Sequence, residues 1–162
     1  MAIDEKKYFN AVLYFAEKAA NLGKTKLNKL LYFLDFDHFE KYGESVTGDE
    51  YENKQHGPVP VSADGIVEKM EQKGLVNVSE ERVIDFTRYA IRAKARYDVK
   101  AFNSTEMEML NEISSKWGTH SAEELTAASH GEAPWLATAL GEKIPYALAY
   151  YRGKYPQPNL DE

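Results

Sequence analysis

Cysteine is absent from this 162-residue chain. Its absence excludes disulfides, thiolate metal sites and a cysteine nucleophile, and it fits a reducing compartment. No apolar run approaches the roughly 20 residues that cross a bilayer. The opening MAIDEKKYF lacks the apolar core of a signal peptide. The expectation is a cytoplasmic protein with no membrane partner. A phosphate loop is missing too: Gly23-Lys24-Thr25 matches the end of a P-loop, but the upstream glycine is absent and a helix, not a strand, precedes it. No G-x-S-x-G elbow occurs, and the four histidines are scattered without an obvious orienting acid. Residue chemistry therefore points to no reaction, no cofactor and no resident metal.

Negative charge is what the chain has in excess, at a formal net −6. The excess is uneven. Residues 82–100 carry six Lys/Arg against two Asp/Glu, whereas residues 101–142 carry one against seven. An acidic body disfavours non-specific nucleic-acid binding, which phosphate neutralisation drives. At 43% hydrophobic and 28% charged, the composition is that of an ordinary globular domain.

Helical periodicity dominates. Asp4 is a candidate N-cap for a helix to Ala20, and Gly23 follows it. From Thr25 to Tyr42 a second helix is apolar on two faces: Leu27, Leu30, Leu31 and Leu34 on one, Tyr32, Phe36 and Phe39 on another. Such a helix is central, covered on several sides. Val46–Gln55 reads as extended. Pro58 and Pro60 then exclude a regular helix or an inner strand. A helix over Val61–Lys73 is followed by a strand at Leu75–Val78, a turn at Ser79–Arg82, and a strand over Arg88–Arg96 with Arg88, Arg92, Lys94 and Arg96 on a wet, basic face. Two capping-box patterns, Asn103 with Glu106 and Ser121 with Glu124, open helices running to Trp117 and Ser129. Pro134 and Pro145 start two short helices, through Leu140 and Tyr151. The fold class expected is mainly α (α+β): a single compact helical domain, residues 1–153, with one small β-hairpin or wing, and a loosely held tail over 154–162.

Asp35 and His38 share a helix face at i, i+3, but no second cluster completes a metal set. They read as satisfied polar groups beside the core. His56, His120 and His130 read as structural. Helices followed by a basic hairpin have the outline of a winged helix, yet the reading helix would be Val61–Lys73, whose balance is acidic. No nucleic-acid partner is expected. Eleven tyrosines are present, and Tyr150 and Tyr151 near the C-terminus suit protein contacts. Candidate partner-binding residues are Arg88, Arg92, Lys94 and Arg96 on the basic strand, Glu106 and Glu123 on the acidic helices, and Tyr150 and Tyr151.

Several separated motifs stand in a recognisable order. Lys26, Leu27, Lys29, Leu30, Leu31, Tyr32 and Phe33 form K-L-x-K-L-L-Y-F. Gly43, Thr47 and Gly48 follow, then Gly57-Pro58-Val59. Ser121, Ala122, Glu124, Leu125, Ser129, His130, Pro134 and Trp135 close the series. This series resembles the Panacea domain of SocA-like antitoxins. The resemblance implies an antitoxin, often carried by prophages and other mobile elements, that neutralises a protein toxin by direct contact, with delivery of the toxin to a protease as the alternative. It implies no enzymatic activity. It assigns Leu27, Leu30, Leu31, Tyr32, Gly57, Pro58, His130, Pro134 and Trp135 structural roles and names no toxin-contacting residue.

Overall fold

The computed structural model describes residues 2–84 and 86–156. Its framework is α1 (Glu5–Lys18) and α2 (Lys24–Tyr42), then β1 (Tyr51–Lys54), β2 (Gly57–Pro60), α3 (Ala63–Gln72), β3 (Val76–Val83), β4 (Phe86–Ala93), α4 (Ser104–Trp117), α5 (Ala122–His130) and α6 (Ala133–Leu136). Short 3₁₀ segments cover Val99–Ala101 and Tyr146–Arg152. The class is mainly α, with two antiparallel two-stranded sheets, β1–β2 and β3–β4. Among the described residues no helix is long and apolar enough to cross a membrane.

Helix α2 is the axis of the core. Leu27, Leu30, Leu31, Tyr32, Phe33, Leu34 and Phe36 are all buried, so no face is left to water over its middle turns. Burial extends to its polar residues, each of which needs a partner. Lys26 Nζ donates to Ala20 O at 2.5 Å and Gly118 O at 2.7 Å, tying together the chain ends that leave α1 and α4. Gly118 is the C-cap of α4, so its carbonyl lies at the negative end of that helix's dipole, where a cation is favoured. Lys29 Nζ donates to Pro58 O at 2.9 Å and holds the β1–β2 hairpin on α2. Burial lowers the Lys29 pKa to about 8. Asp35 accepts from Val46 N, Thr47 N, Thr47 Oγ1 and Tyr51 Oη at 2.6–2.8 Å. Burial pushes its carboxyl pKa up, against the pull of those donors.

Close approach requires glycine at several positions, two of which seat the sheets on the helices. At Gly57, φ is +105°, and a Cβ would lie 2.6 Å from Ser129 Oγ and 2.7 Å from Lys29 Cε. At Gly23, a Cβ would lie 2.7 Å from Tyr89 O, where Ile91 N donates to Leu22 O and seats β4 on the α1–α2 turn.

The structure corrects several expected boundaries. One hairpin was expected and two are present. Strand β2 contains both prolines because it pairs on one side only, with Pro58 opposite Asn53 and Pro60 opposite Tyr51. Ser79–Arg82 is not a turn. It lies within β3, with Glu81 opposite Arg88, and the reversal falls between Val83 and Phe86. Strand β4 therefore starts and ends earlier than expected. Helix α6 stops at Leu136, not Leu140, because Asn53 Nδ2 takes the Trp135 and Thr138 carbonyls at 2.9 and 3.0 Å. The last segment is a 3₁₀ helix, and Lys154 and Tyr155, expected in a loose tail, are anchored. Residues 157–162 of that tail lie outside the described residues. Both capping boxes form as expected.

The lowered Lys29 pKa makes stability pH-dependent. From about pH 8 up to about pH 9, Lys29 binds more protons in the unfolded chain than in the folded one, so stability rises with pH. The Lys26 pKa is lowered in the same direction by burial. Urea unfolding midpoints should rise from about pH 7.5 to about pH 9 and level off above it, where unfolded-chain tyrosines begin to ionise and the buried ones, with raised pKa, do not. Lys29→Met should flatten that rise and lower the midpoint by leaving Pro58 O unpaired.

Candidate functional site

Asp37 and Glu40 sit one turn apart on α2, both buried in spite of their charge. Their cation comes from the far end of the chain. Arg152, with a side chain 1% exposed, reaches Asp37 through Nη2, Glu40 Oε1 through Nε at 3.1 Å and Glu132 Oε1 through Nη1 at 3.2 Å. Lys154 Nζ adds Glu132 Oε2 at 2.8 Å and Asp37 at 3.4 Å. Tyr32 Oη donates to Glu132 at 2.7 Å, and Tyr155 N donates to Glu40 at 2.6 Å. Burial works against the guanidinium charge, but Asp37 and Glu132 outweigh it and push the Arg152 pKa above its ordinary value. This knot holds the C-terminal segment on α2. Sequence reading missed it. The available signal was a carboxylate pair near the end of a helix apolar over its middle turns; Lys41, four residues after Asp37, turns instead to Glu112 at 4.0 Å.

Asp35 and His38 do not form a metal site with each other. Asp35 is saturated by the loop 46–51, and the His38 ring nitrogens meet Glu44 O at 2.6 Å and Thr105 Oγ1 at 3.0 Å. No three His, Asp or Glu side chains among the described residues are placed to hold a metal ion.

The basic residues expected on one strand face are exposed, but not equivalent. Glu81 takes Arg88 at 2.8 Å on one carboxylate oxygen and Arg92 at 2.7 Å on the other. Arg92 and Arg88, in that order, lower the Glu81 pKa. Lys94 and Arg96 have no ion-pair partner among the described residues. Ala90, which breaks the alternation, is buried because the Arg-bearing face meets α1 there.

Glu106 is a correction. It is 2% exposed, closes the Asn103 capping box and pairs with Lys7 at 2.8 Å, so it is an internal residue and not part of a contact surface. Its i+3 spacing from Asn103 was the legible sign of that role. Glu123 is exposed. Tyr150 is half-buried and packs on Phe39, whereas Tyr151 is 78% exposed. Leu136 and Leu140 are also exposed, at the end of the molecule where α6 meets the Tyr146–Arg152 segment.

Most of the motif residues are inside, although Gly43, Ser121 and Glu124 are exposed and His130 and Trp135 are half-buried. Leu27, Leu30, Leu31 and Tyr32 are in the core, and Gly57-Pro58 is pinned by Lys29. His130 stacks on Trp135 with ring centroids 4.1 Å apart, and Trp135 Nε1 donates to Lys54 O at 3.0 Å. Pro134 is buried at the start of α6. The family model for SocA-like antitoxins, Panacea domain, matches residues 27–136, more than half of the chain. The chain belongs to the SocA-like Panacea family. No curated protein and no solved structure matches it. Within this Panacea domain the matched span supplies Asp37, Glu40 and Glu132, while Arg152 and Lys154 lie beyond its end. The C-terminal segment thus completes a charge balance that the matched span leaves open.

Removing one partner of a buried ion network leaves the others uncompensated, at a cost of about 3–5 kcal/mol. Arg152→Ala should destabilise the domain by about that amount in urea unfolding. Arg152→Lys, which keeps the charge but not the planar fork, should recover part of it.

Proposed function

We propose that this protein is an antitoxin that neutralises a protein toxin, encoded adjacently, by direct binding in the cytoplasm. Membership of the SocA-like Panacea family over residues 27–136 carries this reading. The location of the motif residues supports it. A signature turned mostly inward specifies a scaffold, and a scaffold leaves partner choice to the surface. Two candidate patches of exposed side chains are of opposite character. One is basic, with Arg88 and Arg92 on β4 and Lys94 and Arg96 just beyond its end. The other is acidic and apolar, with Glu123 on α5 and the large exposed side chains Leu136, Leu140 and Tyr151, of the kind that suit the buried centre of an interface. Blockade would be steric, through an interface of ordinary size, on the order of 1,600 Å² in total.

Expression of the neighbouring gene should arrest growth, co-expression of this protein should restore it, and the two should co-purify. Charge reversal at one of the two patches, but not both, should weaken rescue. Rescue without a complex, accompanied by loss of the partner protein, would indicate delivery to a protease instead. Absence of rescue would overturn the antitoxin reading.

A further inference from the structure

Beside β4, two hollows of about 510 and 200 Å³ lie end to end along the seam with α1 and share Ala16 and Arg92 in their walls. Arg88 and Arg92 line one, and Arg92, Lys94 and Arg96 line the other. The uncharged lining is mostly small, with Ala19, Ala93 and Ala95 among it, which lets another backbone come close. Four cations thus converge on one groove of a protein whose net charge is −6. Among the described residues, two acids stand against them. Glu17 lies in the wall, and Glu81 bridges the two arginines across the hairpin. Glu81, outside that lining, shows what these arginines can hold, since its carboxylate meets both guanidinium groups by charge-assisted hydrogen bonds at 2.7 and 2.8 Å.

Resting on the antitoxin reading, we propose that this α1–β4 groove docks an extended acidic segment of the neutralised partner, with Lys94 and Arg96 as its free anchors and Glu81 as an internal competitor for Arg88 and Arg92. From Arg88 to Ala93 the strand runs about 17 Å at about 3.3 Å per residue, and Lys94 and Arg96 follow just beyond its end, so a short extended segment can meet all four cations. A protein segment fits better than a nucleic acid. The cations are few, two are already bridged, and the acidic body repels a long polyanion.

Glu81 gives the proposal a test of two signs. The probe is a fluorescein-labelled, end-capped octapeptide of alternating Glu and Ala, followed by anisotropy at low salt. The full chain should bind it. The double variant Lys94→Glu/Arg96→Glu should bind about tenfold more weakly or not at all, since like-charge contacts replace attraction. Glu81→Gln should bind several-fold more tightly. All substituted side chains lie at the surface, and an unchanged thermal midpoint will verify folding. Equal binding by all three proteins would overturn the proposal. Tighter binding of a DNA 12-mer than of the peptide would overturn it in favour of a nucleic acid. In co-expression, the Lys94→Glu/Arg96→Glu variant should fail to rescue. Full rescue by it would refute docking of the toxin in this groove while leaving the antitoxin reading intact. If the unaltered protein gives no rescue, the antitoxin reading fails, and the groove's preference for acidic segments stands or falls on the peptide alone.

Discussion

A helix buried on every side must have every polar group on it answered from elsewhere, and α2 imposes that demand on the whole chain. Lys26, Lys29, Asp35, Asp37 and Glu40 cannot reach water. An unpaired charge in such a place costs several kcal/mol. Each is therefore met by a different part of the molecule. Lys26 takes the chain ends beyond α1 and α4, and Lys29 takes the β1–β2 hairpin. Asp35 takes the loop through Thr47 and Tyr51. Asp37 and Glu40 take Arg152. The positions of the outer elements follow from these obligations as much as from packing of the leucines.

The same arrangement separates scaffold from recognition. Most of the residues that mark the family satisfy α2, pack in the core or cap a helix, so they say little about which partner is bound. What remains at the surface divides by charge. The β3–β4 ribbon and α1 carry a cationic groove, and α5, α6 and the C-terminal segment carry acidic and apolar groups. Glu81 is the residue that shapes the first of these, because it orients two arginines while partly neutralising them.

Much of the helical framework was legible in the sequence. Asn103 with Glu106 and Ser121 with Glu124 are local patterns whose geometry closes within one turn, so they hold whatever surrounds them. The stripes on α2 announced a central helix because apolar spacing alone decides it. The β1–β2 hairpin was not legible. Four-residue strands carry little periodicity, and the prolines are tolerated only because β2 has a free edge. The run Ser79–Arg82 has turn composition, yet the Glu81 bridge to Arg88 and Arg92 keeps it extended. Among the candidate contact residues, the four basic side chains were found by their alternation. Their convergence with Ala16 and Glu17 of α1 was not, since it depends on a contact between elements about 75 residues apart.

By itself the sequence determined the helices with their caps, the central place of α2 and the family, because each rests on local spacing or on the order of short motifs. Only the tertiary structure decided that Glu106 is internal, that Arg152 answers Asp37, Glu40 and Glu132, and that the basic strand forms one wall of a groove. Those outcomes depend on which distant groups meet when α2 is enclosed. Burial makes each such meeting obligatory, but nothing local in the chain names the partner that will supply it.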